Sequence, residues 1–325
     1  MALRVLAHFT PGDRVLEQVA SESDWLDVHW VADDDDDAFY RELPDAEVIW
    51  HILRPLSADD LGRGTKLRLV HKLGAGVNTI DVDAATRLGI AVANMPGANA
   101  PSVAEATLLM MLATLRRLPE LDRVTREGRG WPIDATLGDR VRDLAGCTVG
   151  LLGYGNVAKR VEQTLRAMGN TTIRHTSSTR DDHNVNWVSL NELLTTSDIV
   201  SLHLPLTPAT EGLINAEALG KMKPGAILIN TSRGAIVDEP ALVAALRSGQ
   251  LGAAGLDVFA HEPVTADNPL LGLDNVLLSP HVSWYTADTM TRYLVEAIKN
   301  CRRMAAGRRL YSTVNAVDDP LLTAE

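Results

Sequence analysis

Residues 147–161 constrain the fold of this chain more than any other stretch. An apolar run ending at Leu152 meets Gly153, Tyr154, Gly155, Asn156, Val157 and Ala158, and a helical pattern follows. That order, strand then G-x-G-x-x-A then helix, is the opening unit of a doubly wound α/β sheet. Gly153 permits the tight turn, Gly155 lets backbone approach a pyrophosphate, and the small Ala158 lets the helix pack on the strand. The N–H groups and the dipole of the helix N-terminus then favour an anion. Dinucleotide binding is the expected use, against the bland alternative of a tight turn that happens to be rich in glycine.

The rest of the chain agrees with that unit. Apolar runs alternate with helical patterns, which favours α/β with parallel sheets. Strands are expected near residues 3–8, 25–30, 46–50, 67–70 and 90–93, and again at 147–152, 171–175, 199–202, 226–229, 253–257 and 276–278. Between the two sets, Pro101 opens a long helical pattern in which Ser102 and Glu105 have capping-box spacing. A final helix is expected over about 287–304.

At 325 residues the chain is long enough for two domains. Its net charge of −11 argues against a nucleic-acid partner, whose phosphates need a basic face. The unbroken acidic run from Asp33 to Asp37 is expected to be a solvated loop; it lacks the glycine and spaced ligands of a calcium loop. Cys147 and Cys301 have no metal-type spacing, so no metal is expected, and they fit a reducing cytoplasm. The N-terminus turns polar too soon for a signal peptide, and no apolar run approaches a membrane span, so no membrane partner is expected.

Three strand ends late in the chain carry the chemistry. They are Asn230-Thr231-Ser232-Arg233-Gly234, Asp257-Val258-Phe259-Ala260-His261-Glu262-Pro263 and Ser279-Pro280-His281-Val282-Ser283-Trp284. Ligands of open α/β sheets gather beyond the carboxyl ends of the strands. A cation, a carboxylate and an imidazole converging there suit reduction of a 2-oxo acid. Taken singly, Arg233 reads as a surface ion pair, Glu262 as a loop carboxylate and His281 as a satisfied histidine. Their joint order and spacing favour catalysis.

The choice of cofactor turns on residues 176–180. No acid stands at the strand tip, where one would bind the ribose 2′-OH of NAD. Thr176, Ser177, Ser178 and Arg180 stand there instead, and a guanidinium can bind a 2′-phosphate through charge-assisted hydrogen bonds. NADP(H) is therefore slightly favoured over NAD(H). The alternative is that Arg180 faces solvent and Asp181 or Asp182 serves the ribose.

With these segments in hand, the chain resembles the D-isomer-specific 2-hydroxyacid dehydrogenases, in the manner of glyoxylate/hydroxypyruvate reductases, over nearly its full length. The resemblance also runs through residues 73–81 (Leu-Gly-Ala-Gly-Val-Asn-Thr-Ile-Asp), residues 94–105 and residues 202–210. It implies a Rossmann cofactor domain, residues 101–285, inserted in a flavodoxin-like substrate domain, residues 1–100 and 286–325. It further implies an active site in the cleft between them and a homodimer built largely through the cofactor domain. Carried over by motif, His281 would protonate the substrate carbonyl oxygen as hydride reaches C2. Glu262 would orient His281 and favour its charged form, and Arg233 would hold the carboxylate and carbonyl. The backbone amides of Ala75 and Gly76 would meet the carboxylate. Asp257 would contact the nicotinamide end, while Leu204, Pro205, Thr210, Thr231 and Ser232 would line the cofactor.

His203 reads as structural. His51, His71 and Lys72 either border the substrate or are ordinary buried groups. The chain departs from many family members at Trp284, where a small residue is usual; here His-x-x-Trp-Tyr is similar to the C-terminal-binding-protein corepressors. An aromatic there would floor the pocket, with Trp50, His51 and Leu53 shaping the rest. It also raises a second function class, a nucleotide-gated binding protein with a vestigial dehydrogenase site.

Overall fold

Nearly every residue in the central strands is buried, as the unbroken apolar runs require of parallel strands covered on both faces. The structure, a computed structural model, describes residues 2–133, 135–177 and 186–318. It divides into two units, Met1–Asn99 with Tyr285–Glu325, and Ala100–Trp284.

In the first unit β1 (Leu3–His8), β2 (Leu26–Val31), β3 (Val48–His51), β4 (Leu69–Lys72) and β5 (Ala91–Ala93) form a parallel sheet in the order β2-β1-β3-β4-β5. This is the flavodoxin-like order. The Ala287–Ala305 helix returns to this unit and buries Tyr293, Leu294, Ala297, Ile298 and Cys301, apolar positions recurring every three or four residues. Glu22 pairs with Arg302 on the same helix at 2.6 Å.

In the second unit β6 (Thr148–Leu152), β7 (Thr171–His175), β8 (Ile199–Leu202), β9 (Ala226–Asn230), β10 (Leu251–Leu256) and β11 (Val276–Leu278) are all parallel, ordered β11-β10-β9-β8-β6-β7. A single parallel bridge from Trp187 to Arg174 adds a seventh member beyond β7. Counted in chain order the sheet then reads 3-2-1-4-5-6-7, which contains the Rossmann order, with its switch point between β6 and β8. Alternate residues feed two cores. Val149, Leu151, Ile227 and Ile229 pack on one side, and Leu152, Val200, Leu202 and Leu228 pack in the other cluster. Full burial of one such leucine contributes about 1.5–3 kcal/mol.

Three sequence expectations are corrected here. The acidic run is a loop only in its first part: Asp33, Asp34 and Asp35 lie in an exposed turn, but Asp35 caps a helix by accepting from the Ala38 N–H at 2.9 Å, and Asp36 and Asp37 form the first turn of Asp36–Glu42, where the dipole favours negative charge. Ser102 is not a cap, because its helix, Ala100–Leu115, begins two residues earlier and buries it. Trp50 and His51 are fully buried, Trp50 meeting Trp30 edge-on, so neither shapes an open pocket.

Candidate active site

The catalytic candidates stand on consecutive strand ends of the second unit, after β9, β10 and β11. Asn230, buried at the tip of β9, organises the first. Its Oδ1 accepts from the N–H (3.0 Å) and hydroxyl (2.8 Å) of Ser232, and its Nδ2 donates to the Arg233 carbonyl at 2.9 Å. These bonds turn the chain sharply, and Arg233 Nη1 donates to the Ser232 carbonyl at 2.6 Å. Thr231 shares a 2.8 Å hydroxyl contact with Thr107.

After β10 the chain carries Glu262. Its Oε1 accepts from the Phe259 N–H at 2.9 Å, and its Oε2 lies 2.6 Å from His281 Nδ1. Burial by itself raises the Glu262 carboxyl. The hydrogen bonds from His281 and Phe259, with the charges of His281 and Arg233, outweigh it and hold the group below the usual carboxylate range. A carboxylate paired with one ring nitrogen leaves the other available for proton transfer.

His281 itself has φ 58°, a left-handed conformation that costs an L-residue about 1–2 kcal/mol. Asp257, almost wholly buried, accepts from the N–H groups of Val282 (3.0 Å) and Ser283 (2.9 Å). Sequence reasoning had placed Asp257 only toward the nicotinamide. The Trp284 ring N–H donates to the His281 carbonyl at 2.9 Å.

The glycine loop fits a dinucleotide. Gly153 has φ 91°, and a Cβ on it would stand 2.5 Å from the His203 carbonyl oxygen, so only glycine serves. A Cβ on Gly155 would meet only open space, the room a pyrophosphate needs, and no side chain caps the Asn156–Ala167 helix that starts there. Ala158 is buried under it, Val157 is partly covered and Asn156 is exposed. Tyr154 turns back into the unit. Its hydroxyl bonds Glu162 and the Arg174 guanidinium lies 4.2 Å from its ring centroid, while Glu162 and Arg174 form a buried ion pair. Neither Glu162 nor Arg174 was singled out from sequence; an acid at helical spacing inside the apolar face of residues 156–167 was the available signal.

Beyond β8, Leu204 and Pro205 follow the strand, and Thr210 Oγ1 donates to the Pro205 carbonyl at 2.7 Å. His203 bonds Ser201 Oγ at 3.0 Å, a structural placement. Thr176 and Ser177 follow β7, whereas Ser178 and Arg180 lie outside the described residues, as do Asp181 and Asp182. In the first unit, Ala75 and Gly76 follow β4; the Ala75 carbonyl accepts from Asn94 Nδ2 at 2.7 Å. Lys72 is buried with its ammonium donating to the Ile52 carbonyl, and His71 Nε2 accepts from Asn300 Nδ2 at 2.9 Å. Leu53 alone of the expected pocket-shaping trio in this unit is exposed.

A Rossmann sheet with an open helix N-terminus at its glycine turn, and a histidine–carboxylate pair at its strand ends, defines a dinucleotide-binding class of protein. Comparison with known proteins narrows the class. Residues 108–283 match the family described as D-isomer specific 2-hydroxyacid dehydrogenase, NAD binding domain. A glyoxylate reductase of Aeropyrum pernix is 39% identical over 286 residues, spanning 86% of this chain and 83% of its own. A D-3-phosphoglycerate dehydrogenase of Mycobacterium tuberculosis is 36% identical over 302 residues, 91% of this chain; the match spans 56% of that relative's length. The crystal structure of the TT0316 protein of Thermus thermophilus superposes with a TM-score of 0.87 at 33% identity, covering 96% of this chain and all of that one. The chain belongs to the D-isomer-specific 2-hydroxyacid dehydrogenase family.

Proposed function

We propose that this chain reduces the C2 carbonyl of a small 2-oxo acid to a D-2-hydroxy acid with NAD(P)H, NADP(H) being slightly favoured. The observation that carries the reading is His281 Nδ1 lying 2.6 Å from Glu262 Oε2, with Arg233 on the neighbouring strand end. When bound, the nicotinamide supplies the hydride. His281 then delivers a proton from Nε2 to the carbonyl oxygen while Glu262 balances its charge and fixes its tautomer. Arg233 binds the substrate carboxylate and carbonyl through its guanidinium, and the Ala75 and Gly76 amides add donors for the carboxylate. Trp284 limits the substituent at C3. The glyoxylate reductase relative supports a short substrate.

The NADP(H) preference rests on hydroxyls in place of an acid after β7, at Thr176 and Ser177, with Ser178 and Arg180 beyond them. Oxidation of NADPH and of NADH, followed across glyoxylate, hydroxypyruvate, pyruvate and aryl 2-oxo acids, tests both parts. The expected result is turnover of the short acids with the higher kcat/KM for NADPH. A higher kcat/KM for NADH sinks the cofactor preference. Tight nucleotide binding without turnover of any acid sinks the reductase reading and favours a vestigial site.

The working form we propose is a cytoplasmic homodimer joined through the cofactor-binding unit. Leu109, Leu112 and Leu118 are exposed along and just after the Ala100–Leu115 helix, and Trp131 and Ile133 are more exposed still, apolar side chains that a second copy would cover. Cys147 and Cys301 are buried free thiols, as suits a reducing compartment. Among the described residues no helix is long and apolar enough to cross a membrane.

A further inference from the structure

The backbone around His281 is held more completely than a loop needs. The His281 N–H donates to the Asp257 carbonyl at 2.7 Å, and its own carbonyl accepts from Trp284 Nε1 at 2.9 Å. The next two N–H groups, of Val282 and Ser283, are divided between the two carboxylate oxygens of Asp257 at 3.0 and 2.9 Å. All four bonds surround one residue whose φ of 58° is unfavourable for any side chain with a Cβ. Relaxing that φ into the ordinary range rotates the Cα–Cβ bond and carries the imidazole away from Glu262 Oε2.

We propose that Asp257 and Trp284 form a backbone clamp that keeps His281 in its left-handed conformation and so aims its ring at Glu262 and the substrate. Trp284 is then a positioning residue for the proton-transfer step, beyond any contact its ring makes with substrate. The inference rests on the reductase reading above. The chemistry of both residues suits the task. A carboxylate offers acceptors on both oxygens to two N–H donors, whereas an asparagine would set an amide N–H against one of them. The indole nitrogen is donor only, and it meets a carbonyl three residues back in the chain.

Trp284→Phe keeps an aromatic floor and removes the donor, which makes it the discriminating variant. It is expected to lower kcat for glyoxylate about 10-fold, the scale of one lost hydrogen bond, with cofactor affinity unchanged. Trp284→His, which restores a ring N–H, is expected to recover part of that loss. Asp257→Asn is expected to lower kcat about 100-fold, as misplacement of a reacting group by about 1 Å does. In the apo protein, NMR titration of the ¹⁵N-labelled His281 ring is expected to differ between wild type and Trp284→Phe. A Trp284→Phe protein that changes only KM for bulky 2-oxo acids, with kcat and the His281 titration as in wild type, overturns the clamp. Absence of turnover in wild type defeats the reductase reading instead, and the apo titration still decides the clamp.

Discussion

Gly234 and Phe259 lie so close that a Cβ on Gly234 would stand 1.9 Å from the Phe259 carbonyl carbon. The contact fuses the strand end that carries Arg233 to the loop that carries Glu262, because the Phe259 N–H is itself bonded to Glu262 Oε1. The backbone segments that carry Arg233 and Glu262 are thereby held against each other, with no side chain between them able to give way.

Gly234→Ala follows directly. The added methyl group has to push the Phe259 peptide aside and so shifts Arg233 relative to Glu262. The expected outcome is a fall in kcat/KM for glyoxylate of about 100-fold, since a shift of about 1 Å has that effect, with the protein still folded by circular dichroism. Steady-state kinetics checks it.

Glu262→Gln removes the charge that favours the protonated form of His281. In the reductive direction the protonated ring is the active form, so activity is lost as pH rises. The alkaline limb of the kcat/KM profile is expected to move to lower pH, and kcat at neutral pH to fall about 10- to 100-fold. The stability effect has the opposite pH sense. The Glu262 carboxyl is held below its unfolded value, so its contribution is present above that value and lost as pH falls through the lowered one.

His71 makes a separate, purely structural prediction. It is buried, and burial pushes its pKa down from 6.5 to about 4, so it folds neutral. Between those two values the unfolded chain binds a proton that the folded chain refuses. Stability is therefore lost as pH falls from 6.5 toward 4, by on the order of 3 kcal/mol from this one group. Melting temperatures across that range are expected to drop, and to drop less steeply in His71→Leu, whose overall stability is lower because Asn300 Nδ2 loses one of its two acceptors, keeping only the Tyr311 carbonyl.

Leu109→Glu tests the dimer. A carboxylate on the exposed apolar stripe of the Ala100–Leu115 helix is expected to convert a dimer into a monomer in sedimentation equilibrium, while the melting temperature of the monomer stays within a few degrees. A wild-type protein that sediments as a monomer contradicts the proposed assembly.

Much of this was legible in the sequence because parallel strands are buried on both faces. The expected bounds of β1, β7, β8 and β11 coincide with the observed ones, β8 and β11 through largely apolar runs, and order alone suggested that Arg233, Glu262 and His281 shared one edge. What sequence did not reveal depends on direction rather than on spacing. Nothing in a one-dimensional pattern says that the Asp257 carboxylate turns toward the backbone after β11, or that Tyr154 turns inward to Glu162 and Arg174. Trp50 looked like a pocket residue because it sits at a strand end, yet the strand places it in the core. The bridge at Trp187 is one residue long, too short for any periodicity to register.

The central claim is that His281 transfers the proton in 2-oxo acid reduction, and His281→Ala addresses it most directly. With glyoxylate and NADPH at saturation, kcat of the variant is expected to fall by about 10²–10⁴, the usual worth of a positioned acid, while the Kd for NADPH measured by fluorescence stays within about twofold of wild type. Turnover retained at the wild-type level would contradict the account.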